Sequence, residues 1–142
     1  MADDILVTTG ADKTLRIWDI EAGSEFRCIR DKFTDTVLNV SFNGSGNVVA
    51  TLCRDRILRV VDLRASESIV TAMGCGHEGR KGQLVEWCHE NGDGHLLFTT
   101  GFNNNSERQM SFWDARNLVE PLSTTTMYVT RVFNSMINSI FL

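Results

Sequence analysis

Four side chains with metal-binding chemistry fall between positions 75 and 89: Cys75 and His77, then the adjacent pair Cys88 and His89. Thiolates and imidazoles are zinc ligands, but this spacing matches no common zinc pattern. Neighbouring residues on a β-like run also point to opposite faces, which separates Cys88 from His89. Nucleophilic chemistry finds no better footing. Serines are plentiful, yet no GxSxG elbow occurs, and His77, His89 and His95 share one short stretch. Neither common glycine-rich phosphate loop is present. The paired carboxylates Asp3 and Asp4 sit at a terminus. The residue types therefore point to a protein without catalysis, cofactor or metal.

Another chemistry suits His77, Thr99 and Trp113, that of a buried hydrogen-bond network. Imidazole, hydroxyl and indole N–H can satisfy one another, and a buried polar set is costly unless every member is paired. Similar residues recur along the chain. Thr8, Thr51 and Thr99 are separated by 43 and 48 residues. Trp18-Asp19, Val61-Asp62 and Trp113-Asp114 are separated by 43 and 52. Asp12 and Asp55 lie in the turns between the first two sets, and Glu107 is the candidate for that place in the third. In the second set Phe33 stands near the His position and Val61 replaces Trp, so apolar packing is expected to hold it. The candidate network is thus Thr8, Asp12, Trp18 and Asp19, then Thr51, Asp55 and Asp62, then His77, Thr99, Trp113 and Asp114. Its role is structural.

The elements that must position these residues are short β-like runs. They cover 5–9, 14–20, 26–30, 37–43, 47–53, 57–63, 68–73, 83–88, 95–101, 108–114 and 122–127, with turn residues such as Asn43-Gly44-Ser45-Gly46 between them. Gly76-His77 at one end of a unit and Trp113-Asp114 at the other is the signature of a WD40 unit, one four-stranded blade of a β-propeller, repeating about every 40–45 residues. The expected fold is all-β, with about three antiparallel four-stranded blades in an incomplete array. The blades cover residues 1–127, in units of about 4–31, 37–73 and 83–127. The longer third interval places about five extra residues before Thr99 and four more in the turn NNNSE (103–107).

Charge and hydropathy narrow the partners. A net charge of −4 argues against a broad nucleic-acid footprint, which needs a basic face. No window holds the ~18 apolar residues of a membrane span, and the start lacks the basic and apolar regions of a signal peptide. Reduced cysteines at 28, 53, 75 and 88 and a cytoplasmic location are expected. Arg54, Arg56, Arg59 and Arg64, with Asp55 and Asp62 among them, form either a solvated, mutually paired face or a contact patch for an acidic partner.

Four strings resemble the coronins, WD40 proteins that bind actin: GADKTLRIWD (10–19), TDTVLNVSFNGSGNVVATLCRDRILRVVDLRA (34–65), GHEGRKGQ (76–83) and FTTGFNNNSERQMSFWDARN (98–117). The resemblance implies non-catalytic binding of actin filaments, a place in the actin cytoskeleton, and contacts with other proteins through blade surfaces. No short motif marks the actin-contacting residues. Coronins carry seven blades and a C-terminal coiled coil. This chain reads as just under three blades, starting in the second strand of one, with no heptad run. It reads as a piece of a propeller whose two open faces favour self-association. The rival reading is a generic WD40 interaction scaffold, or a propeller remnant without function.

Residues 128–142 depart from the family. Val129, Val132, Phe133, Met136, Ile137, Ile140 and Phe141 recur at helical spacing. An amphipathic helix covering an exposed blade face is expected there, with an added strand as the structural competitor.

Overall fold

The computed structural model describes residues 4–65, 70–88 and 94–127, so the expected tail helix lies outside the described residues. Among these residues are eleven strands and no helix. The first sheet holds β1 (Ile5–Thr9), β2 (Leu15–Asp19) and β3 (Ser24–Ile29). The middle sheet holds β4 (Val37–Phe42), β5 (Val48–Cys53), β6 (Ile57–Asp62) and β7 (Val70–Cys75). The last holds β8 (Leu84–Trp87), β9 (Leu96–Phe102), β10 (Arg108–Asp114) and β11 (Ser123–Met127). Within each sheet the strands run in chain order and antiparallel. Among the described residues the middle and last sheets have four strands and the first has three.

The three sheets repeat one hairpin. In each, an N–H closes back on the carbonyl three residues earlier: Lys13 on Gly10 at 3.2 Å, Arg56 on Cys53 at 2.9 Å, Ser106 on Asn103 at 3.0 Å. All three donors have positive φ, at 60°, 68° and 63°. Asp12, Asp55 and Asn105 are therefore equivalent, each one residue earlier. This corrects the expectation for the third turn. The turn itself is not expanded, and Glu107 is not the counterpart of the aspartates. The four extra residues lengthen the arms instead, two on each side. They add the pairs Gly101 with Gln109 and Phe102 with Arg108. Extra residues that continue the ladder keep their backbone groups hydrogen-bonded, which a longer loop would leave to solvent.

Two cores lie between successive sheets. Leu15, Ile17 and Ile29 of the first sheet meet Val49, Cys53, Val61 and Leu63 of the middle one, with Phe33 and Val37. Ala50, Leu52, Leu58 and Val60 of the middle sheet meet Val85, Trp87, Leu97, Trp113, Ala115 and Leu118. Alternate residues of β5 thus enter different cores. That explains its nearly continuous apolar sequence, VVATLC, where a half-buried strand would alternate. The inner strands meet through polar atoms. Asn39 Oδ1 accepts from Val85 N at 2.7 Å, Ser41 Oγ accepts from Trp87 N at 3.1 Å, and Trp87 Nε1 donates to Ser41 O at 3.0 Å. These bonds satisfy edge amides of β8. Close approach also matters where β7 meets the last sheet: a Cβ on Gly74 would lie 2.0 Å from the Leu118 carbonyl oxygen.

The outward sides carry exposed apolar groups: Leu6, Ile20 and Phe26 on the first sheet, Leu84 and Leu122 on the last. The two leucines at positions 58 and 6 give a direct contrast, 0% against 51% exposed. Leu58→Ala is expected to cost about 2–5 kcal/mol, and Leu6→Ala within about 0.5 kcal/mol. Urea denaturation of both variants checks this.

Candidate functional site

The richest polar cluster lies between the middle and last sheets. Trp113 Nε1 donates to Thr99 Oγ1 at 2.9 Å. His77 Nε2 lies 2.9 Å from the same oxygen, and its Nδ1 lies 3.5 Å from Gln109 Oε1. One assignment of protons satisfies all four: indole N–H to hydroxyl oxygen, hydroxyl to His77 Nε2, and His77 Nδ1–H to the Gln109 amide. His77, Thr99 and Trp113 are all buried. Burial holds the His77 pKa below its ordinary 6.5, outweighing the interactions with Gln109 Oε1 and the Thr99 backbone, which favour the charged form.

The local sequence builds this seat. Thr99 and Trp113 sit on adjacent strands of the hairpin, and their side chains share the face turned to the middle sheet. His77 arrives from the connection between β7 and β8. A Cβ at Gly101 would lie 2.5 Å from the His77 ring, so only glycine lets the imidazole lie on β9. Gly101 and Gln109 are themselves a pair of the lengthened hairpin. Gln83, also buried, braces the loop. Its amide donates to His77 O at 2.9 Å and Gly79 O at 3.2 Å, while His77 N donates back at 3.3 Å. Gln83 and Gln109 belong to the site but were not candidates on sequence. The only signal for either is its place in a family-like string, GHEGRKGQ for Gln83 and FTTGFNNNSERQMSFWDARN for Gln109.

The other two sheets use different pins. In the first, Trp18 Nε1 donates to Thr8 Oγ1 at 2.8 Å. Asp12 is not part of that bond. Its carboxylate accepts from Thr14 Oγ1 and Arg16 instead, at 3.0 Å each. Arg16, then Thr14, holds it below the usual carboxylate range. In the middle sheet Thr51 is buried, with its hydroxyl 3.5 Å from Arg59 O. Asp55 pairs with Arg59 at 2.8 Å and accepts from Thr34 Oγ1. The Arg59 guanidinium, 4% exposed, lies 5.6 Å from the centre of the Phe33 ring. Burial pushes Asp55 up, but Arg59, Thr34 and the Ile57 N–H overcome it and leave the carboxyl below its ordinary value. So the turn aspartates do not join the Thr–Trp pairs, and the middle unit is not held by apolar packing alone. An arginine four residues after each aspartate captures it.

Asp19, Asp62 and Asp114 end their strands as turn caps. They accept from the N–H of Ala22, Arg64 and Arg116, at 2.8, 2.9 and 2.9 Å. The Arg116 guanidinium also pairs with Asp114 and lowers it to about 2. The sequence cluster of four arginines therefore divides. Arg59 is buried, Arg64 pairs with Asp62 at the far end of the strand, and Arg54 and Arg56 remain together in the β5–β6 turn. Among the described residues no group of three or more His, Cys, Asp or Glu could hold a metal ion. Cys75 and His77 precede β8 while Cys88 follows it, and His89 is outside the described residues. Burial pushes the Cys53 thiol up to about 12, so it is no nucleophile at neutral pH. The side-chain bonds of the His77 cluster join the β7–β8 connection to the β9–β10 hairpin.

Comparison with known proteins follows the same line. No family model matches the chain. A coronin-like protein of Saccharomyces cerevisiae is 37% identical over 118 residues, covering 83% of this chain and 17% of the relative. A coronin-like protein of Schizosaccharomyces pombe is 34% identical over 125 residues, covering 88% and 20%. The chain thus spans about a fifth or less of these relatives. In structure it is similar to the WD40 domain of Toxoplasma gondii coronin, with a TM-score of 0.79 and 28% identity, over 88% of this chain and 31% of that one.

Two predictions follow from the pins. The unfolded chain protonates His77 near 6.5 while the folded chain resists it, so stability present above that pH declines as pH falls through 6.5 toward the lower folded value. Replacing His77 by Gln is expected to flatten the slope of unfolding free energy between pH 7 and pH 5, measured by urea titration at each pH. Asp55→Ala strands a buried guanidinium and is expected to cost about 3–5 kcal/mol. Arg16 is more exposed, so Asp12→Ala should cost less than Asp55→Ala in the same assay.

Proposed function

We propose that this chain, coronin-like in sequence and in its WD40 blades, binds actin filaments without catalysing a reaction and works at the actin cytoskeleton. The observation that carries the reading is the run of 118 residues at 37% identity to a coronin-like protein, in a chain whose fold is similar to a coronin WD40 domain. The geometry is compatible with it. The network residues His77, Thr99, Trp113 and Gln109 bond to one another, and the hairpin turns and inter-sheet loops are the natural surface to meet a partner. Binding by such a surface needs shape and charge fixed in advance, and the joints around His77 and Arg59 supply that rigidity.

Co-sedimentation with filamentous actin tests the proposal. The 142-residue chain is spun with and without filaments, at increasing filament concentration. The expected result is a pelleted fraction that rises and saturates with actin above the amount pelleted alone. Equal pelleting in both arms would remove actin binding from this chain and leave a WD40 scaffold with other partners.

A further inference from the structure

The loop that carries His77 does something beyond seating it. Together with the β5–β6 turn it encloses a surface pocket of about 260 Å³, lined by Leu38, Cys53, Arg54, Arg56, residues 79–82 and Gln83. Four of the lining residues are cations, Arg54, Arg56, Arg80 and Lys81, and none is a carboxylate. This concentration occurs in a chain whose net charge is −4. Carboxylates close by in sequence have other partners. Asp55 is held by Arg59, Asp35 accepts from the Thr36 N–H, and Glu78 accepts from Asn104 Nδ2. Among the described residues, no carboxylate pairs with Arg54, Arg56, Arg80 or Lys81.

The loop that carries two of the cations is held in place, and so are the side chains of Arg56 and Lys81. Gln83 closes the 77–83 loop from inside by two donated bonds. Gly79 N donates to Phe102 O at 2.7 Å, tying the loop to the lengthened hairpin. Arg56 donates to Glu78 O at 2.7 Å, joining the turn to the loop, and Lys81 lies 4.9 Å from the centre of the Phe102 ring. A pocket whose backbone and two of whose cations are fixed before binding loses less entropy when an anion enters. Leu38, 43% exposed, adds an apolar shoulder.

We propose that this pocket is a docking site for an acidic segment of a partner protein, with glutamate or aspartate side chains against Arg54 and Arg80 and an apolar side chain on Leu38. The apolar shoulder favours a peptide over a bare phosphate, which would have no use for it. Guanidinium groups suit carboxylates by their paired donors. The proposal does not depend on actin binding, since the peptide assay contains no actin.

The test uses fluorescence anisotropy with a labelled decapeptide of glutamates interrupted by one central leucine. The full chain is compared with Arg54→Gln/Arg80→Gln, and with Lys13→Gln/Lys32→Gln, which removes the same charge from the β1–β2 turn and the connection after β3. Each variant is checked for an unchanged urea midpoint, and Arg54→Met/Arg80→Met, which is equally uncharged but keeps an apolar stem, replaces the first pair if its midpoint falls. The expected result is binding that weakens at least tenfold in the arginine variant, less than twofold in the lysine variant, and several-fold on raising salt from 50 to 200 mM. Equal weakening in both variants would reduce the effect to general charge and overturn the proposal. So would no peptide binding, or binding of phosphoinositide-containing vesicles or inorganic phosphate through these arginines in preference to the peptide.

Discussion

Each sheet of this chain has two faces and cannot hide both by itself. That constraint governs the rest. The middle sheet meets it fully, with one core on each side, and its central strands are apolar almost without interruption. The first and last sheets meet it on one side only. Burial of this kind is strong but undirected. Two apolar faces can slide over one another at little cost, so something else has to fix where they rest. In this molecule that task falls to a small number of polar groups placed inside or at the rim of each seam.

Those groups differ from sheet to sheet although the backbone repeats. One seam holds an indole, a hydroxyl, an imidazole and an amide in a single relay. The neighbouring seam holds an ion pair beneath an aromatic ring. What the solutions share is completeness: nearly every buried donor has an acceptor, the Nε of Arg59 being unpaired among the described residues. A partial version of either would cost more than apolar packing. In the middle sheet, where Phe33 and Val61 stand in the places of His and Trp, the Arg59–Asp55 pair supplies the buried polar contact.

The sheets could be read from the sequence because their signals are local. Alternation marks most strands, and the spacing of Thr8, Thr51 and Thr99 marks the repeat. The polar partners could not be read as well. Asp12 and Asp55 stand where a turn residue could reach toward the Thr–Trp pair, but an arginine four positions on lies nearer and carries full charge. Gln109 was missed for a different reason. Its contact with His77 exists only because the hairpin is longer, and sequence spacing alone does not tell a longer loop from longer arms. The buried place of Arg59 was hidden likewise, since a run of arginines reads as surface until the ring beneath one of them is seen.

The lengthened hairpin has a consequence for how this unit can vary. Residues opposite one another in a ladder share a face, so an addition that is equal on both arms leaves every pair below it unchanged: Thr99 still pairs with Ser111, and Leu97 with Trp113. An unequal addition would slip one strand against the other and turn its side chains to the opposite face. Length at this hairpin can therefore change only in balanced steps. Two residues on each arm extend its reach by about 7 Å, at ~3.4 Å per residue, without disturbing the joint at its base.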